Sequence, residues 1–206
     1  MKQILILLIA ALFSACASHR VAERLERLQR SESWGHFSGP VDTRWDSDGL
    51  DMTLLTEVRY TDPDGVVWVA PAGSKVNGAS IPRAFWSLVG GPFDGKYRAA
   101  SVLHDVAYEQ QTRPWQQVDR MFYNALRCSG VGVIEAKTMY YALYRHGHHW
   151  KHPVRRATEA QPSDIAPPAE RATAVDPGEV DAIQKWMEEN NPSLDQIETH
   201  AAVASH

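Results

Sequence analysis

A chain of 206 residues has the length for one ordinary domain with tails rather than two full domains, and a hydrophobic fraction of 44% is enough to pack one core. Its formal net charge of −4, with both signs interspersed, argues against nucleic acid as a partner, which would call for a basic face. The two cysteines, Cys16 and Cys128, give no disulfide framework.

The chain starts with a short positive segment, Met1-Lys2-Gln3, followed by an apolar run from Ile4 to Phe13 and the small residues Ser14-Ala15. This is the pattern of a secretory signal, too short to cross a bilayer as a helix. Leu12-Phe13-Ser14-Ala15-Cys16 resembles the lipobox of bacterial lipoproteins, with Phe13 where leucine is usual. The resemblance implies that residues 1–15 are a signal peptide, that Cys16 is lipidated, and that the acyl chains hold the protein on a membrane. Ala17 is not the aspartate that retains such proteins at the inner membrane, so the resemblance favours the outer membrane, facing the periplasm. A soluble protein left by an ordinary cleaved signal is the alternative.

Residues 16–33 read as a tether. Val21, Leu25 and Leu28 recur at i, i+4 and i+7 among arginines and glutamates, which predicts a short amphipathic helix. Its basic face suits anionic headgroups, and packing on the domain suits it equally. The globular domain spans 34–152. Alternation from Met52 to Tyr60 predicts a strand with one buried face, Asp62-Pro63-Asp64-Gly65 a turn, and Val66 to Ala70 the returning strand of a hairpin. Asp46-Ser47-Asp48-Gly49 and Asp62 to Gly65 look faintly like calcium loops, but they lack the distal glutamate and are better explained as turns. A short helix is expected after Pro82, with Phe85 and Trp86 as core residues able to wall a pocket. Three longer helices follow at about 96–110, 115–128 and 133–147, and Cys128 is expected as a small core residue. Residues 153–175, rich in Pro and Ala, read as a linker. In the helical tail, 176–206, Asp176-Pro177-Gly178-Glu179 resembles a capping box, Val180, Ile183, Trp186 and Met187 form an apolar stripe, and a last helix begins near Ser193. The tail can dock on the domain or capture a protein partner. The fold class is therefore α+β: a small antiparallel sheet, mainly one hairpin, packed on a helical hairpin and further helices.

The candidate site centres on His104. Asp119 shares a face with Phe122 and Leu126 on the following helix and so points inward, where a buried carboxylate requires a donor. An antiparallel helical hairpin brings His104 and Asp119 to similar heights, and Tyr108, one turn beyond His104, reaches the same carboxylate. A carboxylate that fixes one imidazole nitrogen leaves the other as a general base. Asp105 faces elsewhere and is available to a metal or to an incoming segment. The alternative is a purely structural network that ties the two helices together. Crowding of His146, His148, His149 and His152 at a helix end is a further metal candidate, although a helix C-terminus favours such residues in any case. Tyr140, Tyr141 and Tyr144 read as core and rim.

Asn77-Gly-Ala-Ser-Ile-Pro82, Ala99 to Tyr108, Val118 to Phe122 and Met139-Tyr-Tyr141 closely resemble an uncharacterised bacterial and phage family, domain of unknown function 1353, over about residues 45–150. The resemblance implies a shared fold and no known activity. His104-Asp105-x-x-Tyr108 followed by Asp119 is similar to the core of secreted phospholipases A2. That second resemblance implies a phospholipase-A2-like helical core. His104 would be the base, Tyr108 and Asp119 would orient it, and Asp105 would bind a calcium cofactor. Asn77-Gly78-Ala79-Ser80 is similar to a turn in bacterial members and adds Asn77 as a metal-site candidate. The first family usually has Asp at the position of Asn77. Cysteines of the second are replaced by Ala107 and by Ala100 with Ser101, and its glycine-rich calcium loop is not recognisable. Two functions are thus expected. The first is a membrane-anchored envelope lipoprotein with a binding or structural role; the second is a lipid ester hydrolase, calcium-dependent or metal-independent. These departures favour the first.

Overall fold

The computed structural model describes residues 34–47, 51–78, 85, 95–151 and 175–203. The expected signal segment, Cys16 and the expected tether lie outside these residues, as do residues 153–174 of the expected linker and all of the expected helix after Pro82 except Phe85.

Six short strands form two antiparallel sheets of three: β1 (His36–Phe37), β4 (Val58–Thr61) and β5 (Val67–Ala70) in one, β2 (Thr43–Trp45), β3 (Met52–Leu54) and β6 (Lys75–Val76) in the other. The α+β class holds. The expected single strand from Met52 to Tyr60 does not, because it breaks at Leu55-Thr56-Glu57 and its halves join different sheets. Met52, Leu54, Val58 and Tyr60 are all buried, so the alternation survives the break that it conceals. The expected hairpin is present, with Val58 opposite Ala70 and Thr61 opposite Val67. Asp62 organises its turn by accepting from the Asp64 and Val66 amides at 3.0 and 2.9 Å and from Trp68 Nε1 at 3.0 Å. This is Asx-turn chemistry. Asp46 is occupied likewise, accepting from Thr53 Oγ1 at 2.7 Å and pairing with Lys75 at 3.1 Å. Gly35 lies so close to β4 that a Cβ there would sit 2.1 Å from the Thr61 carbonyl oxygen, which excludes any side chain.

A 3-10 turn, Gly95–Tyr97, leads into α1 (Arg98–Gln110), then α2 (Trp115–Cys128) and α3 (Val133–His146). Gln111 stops α1 in the left-handed region at φ 49°, and Pro114 stands at the start of α2, where its missing N–H is not needed. Two such punctuation marks in one short loop fold α1 and α2 into a hairpin that packs along its length. Val102, Leu103 and Val106 of α1, Phe122 and Leu126 of α2, and Met139 and Leu143 of α3 form the core with the inner faces of the strands. Tyr140 and Tyr141 are buried and Tyr144 half-buried, as expected. Cys128 is also half-buried, its thiol donating to the Gly35 carbonyl at 3.2 Å.

The tail docks on the domain. Both its helices, α4 (Pro177–Asn190) and α5 (Leu194–Val203), pack on α3. Val180, Ile183, Met187, Ile197 and Ala201 are buried there. Asp176 caps α4 by accepting from Gly178 N at 3.0 Å. Glu179 does not complete the expected capping box. It turns instead to α3, where it takes Arg145 Nε at 2.7 Å, His146 Nε2 at 2.9 Å and the Tyr141 hydroxyl at 3.0 Å. A reciprocal capping box forms at α5, with Gln196 N on Ser193 Oγ at 3.3 Å and Ser193 N on Gln196 Oε1 at 2.8 Å. Because the Ile197 side chain is fully buried in the core, Ile197→Ala should cost about 2–5 kcal/mol in urea unfolding. A loss below about 0.5 kcal/mol, the level of an exposed position, would show that the tail is not docked.

Candidate functional site

Helix periodicity places Ser101, His104 and Tyr108 on one face of α1, at i, i+3 and i+7, facing the second turn of α2 and Asp119. Asp119 Oδ1 takes two donors: His104 Nε2–H at 3.0 Å and the Tyr108 hydroxyl at 2.7 Å. His104 is 1% exposed and Asp119 0%. The imidazole lies between the Tyr108 ring, 4.0 Å away between centroids, and the Phe122 ring at 4.9 Å. A carboxylate only accepts, so the proton of the neutral imidazole belongs on Nε2 and Nδ1 presents a lone pair. Burial raises the Tyr108 hydroxyl well above its usual pKa, and the adjacent Asp119 charge reinforces this.

Among the described residues, three buried polar atoms at this site have no hydrogen-bond partner: His104 Nδ1, Asp119 Oδ2 and Ser101 Oγ. Buried polar groups are nearly always satisfied, because an orphaned one costs about 1–3 kcal/mol. Three together distinguish this place from an ordinary core.

The segment after α3, which sequence reading treats as a frayed histidine cluster, forms the wall of the site. Trp150 packs edge-on against Tyr108 at 5.1 Å and donates from Nε1 to the Arg113 carbonyl at 3.0 Å, pinning the α1–α2 loop. A Cβ on Gly147 would lie 2.8 Å from the Tyr108 hydroxyl and 2.4 Å from the Leu143 carbonyl oxygen, so only glycine lets the chain pass. His149 stacks on Trp115 at 3.5 Å and 11°. Burial lowers its pKa, opposed in part by the Asp119 charge. His146 is on Glu179, a carboxylate contributed by the tail that spacing alone could not reveal. His152 lies outside the described residues. Among the described residues no group of three or more His, Cys, Asp or Glu is arranged to hold a metal ion.

Asp105 and Asn77, the calcium ligands that the phospholipase resemblance implies, each bond a different partner. Asp105 Oδ2 accepts the Gly78 amide at 2.6 Å, and Asn77 Nδ2 donates to Asp51 Oδ1 at 3.2 Å. Asp105 Oδ2 and Asn77 Nδ2 are engaged within the protein, and among the described residues no group of three or more His, Cys, Asp or Glu joins them to complete an oxygen cage. The described residues do not by themselves make a calcium site. Asp105 takes an incoming segment instead, tying the chain after β6 to α1.

Fold and site together define an α+β domain in which a helical hairpin holds a histidine through a buried carboxylate. Residues 52–143 match the family described as protein of unknown function (DUF1353), in agreement with the motifs. It is similar to two uncharacterized proteins of Sinorhizobium fredii. It is 39% identical to y4jT over 135 residues, 65% of this chain and 40% of that protein, and 34% identical to y4iH over 103 residues, 50% of this chain and 43% of that protein. The chain thus spans about two fifths of the length of these curated relatives. No solved structure matches it.

The raised pKa of Tyr108 has a consequence for stability. The folded state keeps the hydroxyl protonated, whereas in the unfolded chain it ionises near pH 10. Its contribution is whole below pH 10 and is lost as pH rises from there toward the higher folded pKa. Buried Tyr60, Tyr140 and Tyr141 shift in the same direction. Stability measured by urea unfolding should therefore fall between pH 10 and 11, and less steeply in Tyr108→Phe. Equal slopes would place the Tyr108 hydroxyl in water rather than on Asp119.

Proposed function

We propose that the protein is a lipid-anchored envelope protein whose domain hydrolyses an ester, of the phospholipid class, with His104 as general base. One observation carries this reading: Asp119, itself held by the Tyr108 hydroxyl, fixes the ring through Nε2, while Nδ1, the basic nitrogen, has no partner among the described residues. A structural tie needs only the first half of that arrangement. In the reaction Nδ1 takes a proton from water as the water oxygen bonds to the ester carbonyl carbon. The proton then passes from the imidazolium to the departing alkoxide, leaving a carboxylic acid and an alcohol. Asp119 holds the tautomer and stabilises the transient imidazolium. No metal enters, in keeping with the employment of Asp105 on Gly78. With His104 1% exposed, substrate reaches Nδ1 when the surrounding side chains part.

Pure wild-type protein should turn over a phospholipid or short-chain ester, and His104→Ala should lose about 10²–10⁴ of that rate while keeping its circular dichroism spectrum. Absence of turnover with every ester tried, with and without calcium, would end the proposal. The anchor is tested separately. A fatty-acid analogue should label the wild type in cells and not Cys16→Ser, and equal labelling would remove Cys16 from the reading.

A second reading, a partner-binding envelope protein, is favoured by a groove of about 640 Å³ on the tail, lined by Trp186, Pro192, His200 and Val203 among others. Trp186 and His200 stack there at 4.3 Å. In that case His104→Ala leaves partner capture intact, whereas Trp186→Ala abolishes it.

A further inference from the structure

Among the described residues, Ser101 is the one hydroxyl of the site with no task. It is 2% exposed, one turn before His104 on the same face of α1, and its Oγ has no partner among them. A buried helical serine or threonine ordinarily bonds back to the carbonyl four residues earlier. Buried Thr138 does so to Ile134 at 2.9 Å, and the exposed Thr199 makes the same bond to Asp195 at 2.8 Å. Ser101 does not. Alanine would fill its place without stranding a hydroxyl in the core, so packing alone gives no reason for serine.

Positions three apart on a helix carry their Cβ atoms about 5–6 Å from each other, which puts Ser101 and His104 in adjacent places on one face. They do not bond directly. Nδ1 requires an O–H donor, and Ser101 Oγ can both donate and accept. We propose that Ser101 and His104 Nδ1 together hold one water molecule, which makes Ser101 a positioning residue for the base. The water donates one hydrogen to Nδ1 and exchanges its second hydrogen bond with Ser101, giving it two of the partners that a buried water needs. Its oxygen lone pair then has a fixed direction. This rests on the reading of His104 as a base for its catalytic meaning, though not for the binding of the water.

The test compares full-length wild type, Ser101→Ala and Ser101→Thr by two independent readouts. The first is nuclear magnetic resonance of the His104 ring: the Nδ1 nitrogen shift and the transfer of magnetisation from water to Hε1, the proton between the two nitrogens. The second is kcat and KM on a 4-nitrophenyl ester. The wild type should show the water contact and a hydrogen-bonded Nδ1. Ser101→Ala should weaken the contact, move Nδ1 toward the unbonded imidazole shift, and lower kcat by about tenfold to a hundredfold at unchanged KM. Ser101→Thr, which keeps the hydroxyl, should restore both. A wild type without the water contact, an alanine variant with unaltered ring signals, or an acyl group found on Ser101 would each overturn the proposal. If no ester is turned over while the ring signals respond to Ser101 as expected, the hydrolase reading falls and the water site stands.

Discussion

The carboxylate of Asp119 is the constraint on which the helical hairpin depends. It is fully buried and stays so because two donors from α1 converge on one of its oxygens. Removing a partner from a buried charged group typically costs about 3–5 kcal/mol, more than an ordinary apolar contact supplies. The pair therefore sets the register of α1 against α2, since sliding either helix by one residue would swing Asp119 away from His104 and Tyr108 together. The approach of the chain after α3 follows from the same place: Gly147 is where that chain crosses the Tyr108 hydroxyl, and Trp150 closes over the ring.

Asp105, the next residue on α1, extends this order to the sheets. One helical step turns it away from His104 and onto the Gly78 amide, so adjacent residues hold opposite sides of the molecule. Asn77 reinforces the tie from its other end by donating to Asp51. A His-Asp step can look like a metal-dependent reaction centre when read as a string of residues. In space the aspartate anchors the β6 exit, and the chemistry left to the histidine is that of an acid–base group.

The helices were legible in the sequence because α1 and α2 carry 3.6-residue patterns and the three are separated by Pro114 and by Gly130 and Gly132. The facing of His104, Tyr108 and Asp119 followed from helical spacing plus a short loop, a local inference. Long-range pairings were not accessible in this way. Alternation from Met52 to Tyr60 is blind to a bend that preserves inside and outside, so it hid the division into two sheets. Glu179 looked like a capping residue because its partners, Arg145, His146 and Tyr141, are more than thirty residues away and only docking brings them near. Gly147 and Trp150 read as the frayed end of a helix for the same reason: what they touch lies on α1 and its loop.

Carboxylates that gather several donors recur through the fold, and comparing them isolates what is special about one. Asp62 gathers two amides and an indole, all local to its turn. Burial pushes the Glu179 carboxyl up, but the His146 and Tyr141 hydrogen bonds and the Arg145 and His146 charges outweigh it and hold it below the usual range. Glu198 takes Arg120 and the Tyr140 hydroxyl where α5 meets α2 and α3. Each of these is a structural junction. Asp119 gathers donors as the others do, yet it leaves its second oxygen, the far nitrogen of its histidine and a neighbouring serine hydroxyl unpaired on one buried face. Stability alone selects against that residue set, since an apolar trio of similar volume would avoid three desolvation penalties. Three such atoms gathered at one place are the physical reason to look for chemistry at His104 and not at Glu179 or Asp62.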